Sequence, residues 1–187
     1  MLTAILENIY TLNDFYQSIR KQQEEYHGKA YCAHHDAITK YAEGCTSYKE
    51  LGTHQGATAA AACRAGFKTV TLVDRSHYRF EPNRTVFEAY CKNNGVELNV
   101  IESDSTHKRT VNDVDVLLID SKHTYQHCKK ELRLHAESVQ KYIIFHDTAA
   151  KPELKQAVNE FVSNNVEWDI VEDFTDNVGY TVIGRKQ

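Results

Sequence analysis

Carboxylates and imidazoles recur in this chain at intervals that could do chemistry. They fall at Glu50, Asp74, Glu102-Ser103-Asp104, Asp120 and His146-Asp147, each at the end of a short apolar run. Beside them stand a glycine-bearing turn, Glu50-Leu51-Gly52-Thr53-His54-Gln55-Gly56, and a compact motif, Asp120-x-x-His123-x-Tyr125. Carboxylate oxygens accept hydrogen bonds from hydroxyls and amines, and in pairs they suit a hard divalent cation completed by water. An imidazole titrates near pH 6.5, which makes His123 the candidate general base. A glycine turn lets the backbone approach a ligand closely and opens a helix N-terminus toward it.

The elements that must position these residues are legible as apolar patterning. From Tyr48 onward short apolar runs alternate with helical ones, as in βαβ units. The pattern predicts strands over Ser47–Leu51, Lys68–Asp74, Val96–Glu102, Val114–Asp120 and Tyr142–His146. It predicts helices over Ala57–Ala65, Arg84–Asn93, about Thr124–Val139 and about Pro152–Val162. The fourth strand is almost continuously apolar, which suits a strand covered on both faces. Two last runs, Trp168–Phe174 and Val178–Arg185, are separated by Thr175-Asp176-Asn177 alone, too short for a parallel crossover, so they pair as a hairpin. The expected fold is α/β: a Rossmann-like doubly wound sheet, mostly parallel, of seven strands with an antiparallel C-terminal hairpin and helices on both faces. Residues 1–187 are expected to form one domain, with 1–45 a helical cover and 46–187 the core. In that cover Leu2, Ile5, Ile9, Leu12, Tyr16 and Ile19 make one helical stripe that caps the core, seams a homodimer or forms a lid. A second helix near Ala33–Tyr41 carries His34-His35 with Asp36, which reads as a solvated face, with a lid contact as the alternative.

Composition narrows the class. The chain has 187 residues, 41% hydrophobic and 26% charged, with a formal net charge of −4. Eight glycines and two prolines exclude collagen-like and low-complexity chains. No apolar run is long enough for a membrane span, and the mild acidity gives no electrostatic footprint for nucleic acid. Five cysteines (Cys32, Cys45, Cys63, Cys91, Cys128), odd in number and never in a CxxC pair, read as small hydrophobes in a reducing, cytoplasmic setting.

In an open parallel sheet the ligand lies beyond the carboxyl ends of the strands, where the acids converge. Glu50 precedes the first turn, and a carboxylate there would repel a phosphate ~4–5 Å away by several kcal/mol at intermediate dielectric. The same charge favours a ligand with an ammonium or sulfonium, and S-adenosylmethionine carries both. Asp74 follows Gly52 at about the offset of an acid that binds ribose hydroxyls, in either a nicotinamide or an S-adenosylmethionine site. Ser103 and Asp104 fall where an adenine would lie.

These residues together resemble a class I S-adenosylmethionine-dependent methyltransferase. Within that superfamily the pairing of Asp120-x-x-His123-x-Tyr125 with His146-Asp147 is most similar to the rhamnosyl O-methyltransferase and cephalosporin hydroxylase-like branch. Two departures stand out: Ser121 where that branch usually has glycine, and Ser138-Val139-Gln140-Lys141-Tyr142 where it usually has Gly-Gly. The resemblance implies cofactor contacts at Glu50, Gly52, Thr53, Gly56, Asp74, Ser103, Asp104 and Asp120, and transfer of a methyl group to a small-molecule hydroxyl, such as a sugar's. It also implies acids at the ends of strands four and five as ligands of Mg²⁺ or Mn²⁺, here Asp120 and Asp147 with His146 beside them. Asp120, His123 and His146 are then the catalytic candidates. Against the metal, His146-Asp147 reads equally as a hydrogen-bonded pair organising its loop. An NAD-linked oxidoreductase and a non-catalytic binding domain are the competing functions.

Overall fold

Strand β1 (Ser47–Leu51) lies in the interior of the sheet, and the chain winds outward from it in both directions. The computed structural model describes residues 11–186. After β1 come α3 (Ala57–Ala65), β2 (Thr69–Asp74), α4 (Arg84–Asn94) and β3 (Glu97–Glu102), which build one half. The chain then returns to β4 (Val114–Ile119) on the other side of β1, and continues through α5 (Tyr125–His135), β5 (Val139–His146) and α6 (Pro152–Asn164). A hairpin of β6 (Trp168–Phe174) and β7 (Tyr180–Arg185) closes the sheet. The order is β3-β2-β1-β4-β5-β7-β6, parallel except where β7 pairs with β5 and β6. Winding direction reverses between β1 and β4, so a crevice opens beyond their carboxyl ends.

Alternation along the strands divides the core in two. Tyr48, Val70, Leu72, Val116, Leu118 and Ile144 face one layer, formed by α1 (Leu12–His27), α2 (Ala33–Lys40), α3 and α4. Leu51, Val73, Leu117, Ile119, Ile143 and Phe145 face the other, against Cys128 and Leu132 of α5 and Leu154, Ala157 and Val158 of α6. Burial on both faces explains why β4 lacks polar alternation. The alanines of α3 are buried almost throughout, which lets that helix sit close beneath the first turn.

The cover is built from two helices and a tight 3₁₀ turn, Lys29–Cys32. Thr11 caps α1, its Oγ1 accepting from the Asp14 N–H at 3.1 Å, and Leu12, Phe15, Tyr16 and Ile19 are buried. The earlier positions of the apolar stripe, Leu2, Ile5 and Ile9, lie outside the described residues. Arg20 donates to both Asp36 oxygens, at 2.6 and 2.8 Å, and so ties α1 to α2.

One boundary differs substantially from expectation. The fifth helix ends at His135, a 3₁₀ turn spans Ala136–Ser138, and β5 begins at Val139 rather than Tyr142. Val139 is fully buried and pairs with Val114, so tertiary packing claims a residue that helical periodicity would have kept. Four of the five cysteines are buried and Cys45 is partly so; all are free.

Candidate active site

The crevice between β1 and β4 is a cavity of about 460 Å³, within the size range of small-molecule sites. Its floor is the turn after β1. Gly52 has φ +99°, and a Cβ there would stand 2.1 Å from the carbonyl oxygen of Asp120, so only glycine lets β1 and β4 end this close together. Gly56, at φ +90°, opens α3 with the rings of Phe80 and Phe87 3.0 Å from where a Cβ would be. Asp74, at the end of β2, clamps the turn: its Oδ2 accepts the N–H of Thr53 at 2.8 Å and of His54 at 3.1 Å, and its Oδ1 that of Ser76 at 3.2 Å.

At the β4–β5 end two carboxylates and two imidazoles form a closed cluster. Asp120 Oδ1 is 3.0 Å from His123 Nε2 and 3.1 Å from His146 Nδ1. Asp147 reaches the same two rings at 3.5 Å through its two oxygens. Burial pushes the Asp120 carboxyl up, but the imidazoles of His146, His123 and His34 reverse this and hold it well below the usual carboxylate range. The hydrogen bond it donates to Asp120 raises His123; burial lowers His146, and Asp120 more than restores it, so both rings bind protons more tightly than a free histidine. Asp147 sits at φ +63°, a left-handed conformation held where the cluster needs its carboxylate.

The residues fit a divalent cation. Asp120, His146 and Asp147 each offer a ligand atom within 4.8 Å of the others. Both imidazoles use the same Asp120 oxygen, leaving Oδ2 without a partner among the described residues. The two carboxylates suit Mg²⁺ or Mn²⁺, and the imidazole shifts the preference of the set toward Mn²⁺.

The structure brings Gly52, Thr53, Asp74, Ser103, Asp120, His123, His146 and Asp147 to one cavity wall. Three expected residues stand off it: Gly56, which opens α3 behind the lining residues Gln55 and Ala57, and Glu50 and Asp104. Glu50 is fully buried beneath the turn, where its Oε2 accepts from the Tyr48 hydroxyl at 2.9 Å. Burial raises its carboxyl to about 8, so at neutral pH it is mostly protonated, and the negative charge facing the cavity comes from Asp120 and Asp147 instead. Asp104 is exposed and turns to Thr106, whose N–H and hydroxyl it accepts at 2.9 and 2.6 Å, while Ser103 and Ser105 line the wall. Tyr125 lies off the cavity, its hydroxyl bonded to Glu160.

The cover supplies further wall residues, and for His34 and His35 the lid contact kept as the alternative is the arrangement found. His34 and His35, expected on a solvated face, are only 3% and 1% exposed, and both line the cavity with Tyr31 and Gln23. The His34 ring lies 3.9 Å from that of His146, and Tyr31 meets His146 edge-on at 5.8 Å. Helical spacing to Ala37 and Ile38, both buried, was the available signal for His34. Ser105 and His127, joined at 3.0 Å, complete the far wall and had no sequence signal.

Residues 49–148, more than half of the chain, match a family model described as a methyltransferase domain. The chain belongs to this methyltransferase family. No curated protein sequence matches it significantly. An O-methyltransferase from Bacillus cereus in complex with SAH superposes with TM-score 0.67 at 13% identity, covering 99% of this chain and 95% of that one. The SAH-bound methyltransferase PaMTH1 of Podospora anserina gives 0.67 at 15%, covering 99% and 93%. The ribosomal protein L11 methylase of Lactobacillus delbrueckii subsp. bulgaricus gives 0.61 at 17%, covering 85% and 80%. At such identities the likeness is one of fold. The methyltransferase family replaces the oxidoreductase reading, and no helix among the described residues is long and apolar enough to cross a membrane.

Proposed function

We propose that this methyltransferase moves a methyl group from S-adenosylmethionine to a hydroxyl oxygen of a small molecule, with Mg²⁺ or Mn²⁺ at Asp120, His146 and Asp147. The observation that carries the reading is the single cavity with a glycine turn and Asp74 at one end and the Asp120–His123–His146–Asp147 cluster at the other. The Asp120-x-x-His123-x-Tyr125 and His146-Asp147 pairing supports a place in the rhamnosyl O-methyltransferase and cephalosporin hydroxylase-like branch. The SAH carried by the Bacillus cereus and Podospora anserina proteins of the same fold supports the choice of cofactor.

The bound cofactor supplies an electrophilic methyl carbon on sulfonium, and a bound divalent ion supplies Lewis acidity toward the acceptor oxygen. The chain's own residues do the rest. Gly52 and Thr53 would let the backbone lie against the cofactor, and Asp74, which fixes that turn, would accept from ribose hydroxyls. Ser103 holds the adenine side, its Oγ already oriented by the Arg109 Nε at 3.0 Å. His123, made more basic by Asp120, takes the hydroxyl proton as the oxygen–carbon bond forms and the carbon–sulfur bond breaks, leaving SAH. The cover forms one wall of the same space through Tyr31, His34 and His35.

The test is transfer of label from methyl-labelled S-adenosylmethionine to a hydroxyl acceptor, with and without chelator. EDTA abolishes turnover, and Asp147→Asn reproduces the loss while SAH still binds. Full activity in EDTA removes the metal from the reaction, and no transfer by a protein that binds SAH leaves a binding domain.

A further inference from the structure

The turn between β6 and β7, residues 175–179, bears on both sides of the cavity without lining it. Antiparallel pairing sets His146 against Tyr180, so the next position along puts Asp147 opposite Gly179. There the chain leaving β5 curls back over the turn. Ala149 and Ala150 both donate their N–H to the Val178 carbonyl, at 2.9 and 3.0 Å, and Lys151 donates to the Asp147 carbonyl at 2.8 Å. Gly179, at φ +69°, makes room for the curl: a Cβ there would stand 2.5 Å from the Ala149 Cβ and 2.9 Å from its backbone nitrogen. Asp147 begins the curl at φ +63°, and a residue with a side chain keeps such a conformation only where its surroundings fix it.

The same turn also holds the cover. Asn177 donates from Nδ2 to the carbonyl of His27 at 2.6 Å, a bond between positions 150 apart in the chain. His27 ends α1, where carbonyls lose their intrahelical partners, so this side chain caps the helix from a distant part of the fold. The chain then passes through Gly28 into the 3₁₀ turn that carries Tyr31 and Cys32. The His27 ring stacks on that of Tyr31 with centroids 4.4 Å apart, and Tyr31 in turn meets His146. Asp147 and the cover, which approach His146 from different sides, are thus tied to neighbouring residues of one turn.

We propose that the β6–β7 turn is the positioning element of the site: Gly179, with the Val178 carbonyl, aims the Asp147 carboxylate into the cluster, and Asn177 seats the cover against His146. Both are positioning residues, and neither touches the reacting atoms. The Asp147 half rests on the metal reading given above, whereas the cover half stands without it.

The experiment compares the full chain with its Gly179→Ala and Asn177→Gly variants and reads the two halves separately. Mn²⁺ affinity is measured by electron paramagnetic resonance of the free ion, and SAH affinity by calorimetry. Opening of the cover is read from the rate at which iodoacetamide alkylates Cys32, followed site by site by mass spectrometry. Cys32 is fully buried in the 3₁₀ turn, and Cys63, Cys91 and Cys128, buried in the core, serve as references. Gly179→Ala should weaken Mn²⁺ binding roughly 10–100-fold, the usual cost of losing a group that orients a metal ligand, with SAH affinity within about twofold of the parent. Asn177→Gly keeps the left-handed backbone and removes only an exposed side chain, so it keeps the test valid if Gly179→Ala folds poorly. It should speed Cys32 alkylation at least tenfold, with Mn²⁺ affinity and the three reference rates unchanged. A general loss of stability would expose all four cysteines together and would overturn the positioning role. Parental Mn²⁺ affinity in Gly179→Ala overturns the Asp147 half, and a parental Cys32 rate in Asn177→Gly overturns the cover half. Failure of the parent protein to bind Mn²⁺ overturns the metal reading and the Asp147 half with it, while the Cys32 rates still decide the other.

Discussion

Replacing Glu50 by glutamine should stabilise the fold, and by an amount that depends on pH. The carboxyl is fully buried, and its proton affinity moves from 4.5 to about 8. Between these two values the unfolded chain releases a proton that the folded one keeps, so the native state loses stability as pH rises through that window. At pH 7 the cost is about 3 kcal/mol, from roughly 2.5 pH units above 4.5 at about 1.4 kcal/mol each. At pH 5 it is about 1 kcal/mol. Glutamine cannot ionise and still accepts the Tyr48 hydroxyl bond through its amide oxygen. Urea denaturation of both proteins at pH 5 and pH 7 therefore gives a gain for Glu50→Gln that is about 2 kcal/mol larger at pH 7. A gain equal at both pH values, or a loss that grows with pH, would refute the assignment of Glu50 as a buried, protonated group.

Acid should destabilise the parent through its buried histidines. His35 and His135 are lowered by burial to about 3 and about 4, so below 6.5 the unfolded chain takes up protons that the folded chain refuses; at pH 5 each costs about 2 kcal/mol, which outweighs the gain at Glu50, and a pH series of denaturation midpoints checks the sign. Gly52→Ala puts a Cβ into the Asp120 carbonyl, and calorimetry should show SAH affinity reduced at least tenfold together with a lower melting temperature. Asp74→Ala frees the N–H groups of Thr53, His54 and Ser76 and should likewise weaken SAH binding at least tenfold, whereas unchanged affinity would remove Asp74 from the site. His123→Gln should slow methyl transfer by about 100-fold or more and flatten the acid limb of its pH–rate profile, with SAH affinity kept.

The framework was readable because its signals are local. Continuous apolar runs such as Val114–Ile119 announce a strand covered on both faces, and the three-residue link before Val178 left no topology but a hairpin. Once the strand ends were placed, Asp74, Asp120, His146 and Asp147 converged on one rim by topology alone. What the sequence could not show is the direction in which a side chain leaves its strand end. Glu50 and Asp104 occupy expected positions, yet one turns inward beneath Gly52 and the other outward to Thr106. The cover failed for a related reason. Whether His34 and His35 meet solvent or His146 depends on how α2 docks across the sheet, a contact between positions more than a hundred residues apart in the chain. Val139 moved from helix to strand for the same kind of cause, its burial against Val114 outweighing local periodicity.

Titration calorimetry of the full chain with S-adenosylhomocysteine, and in parallel with NADH, is the most direct measurement of what the crevice between β1 and β4 is for. Binding of one S-adenosylhomocysteine per chain at micromolar concentration, lost in Asp74→Ala, with no heat from NADH, is the expected result. Binding of NADH in its place, or of neither molecule, would contradict the assignment of this cavity to methyl transfer.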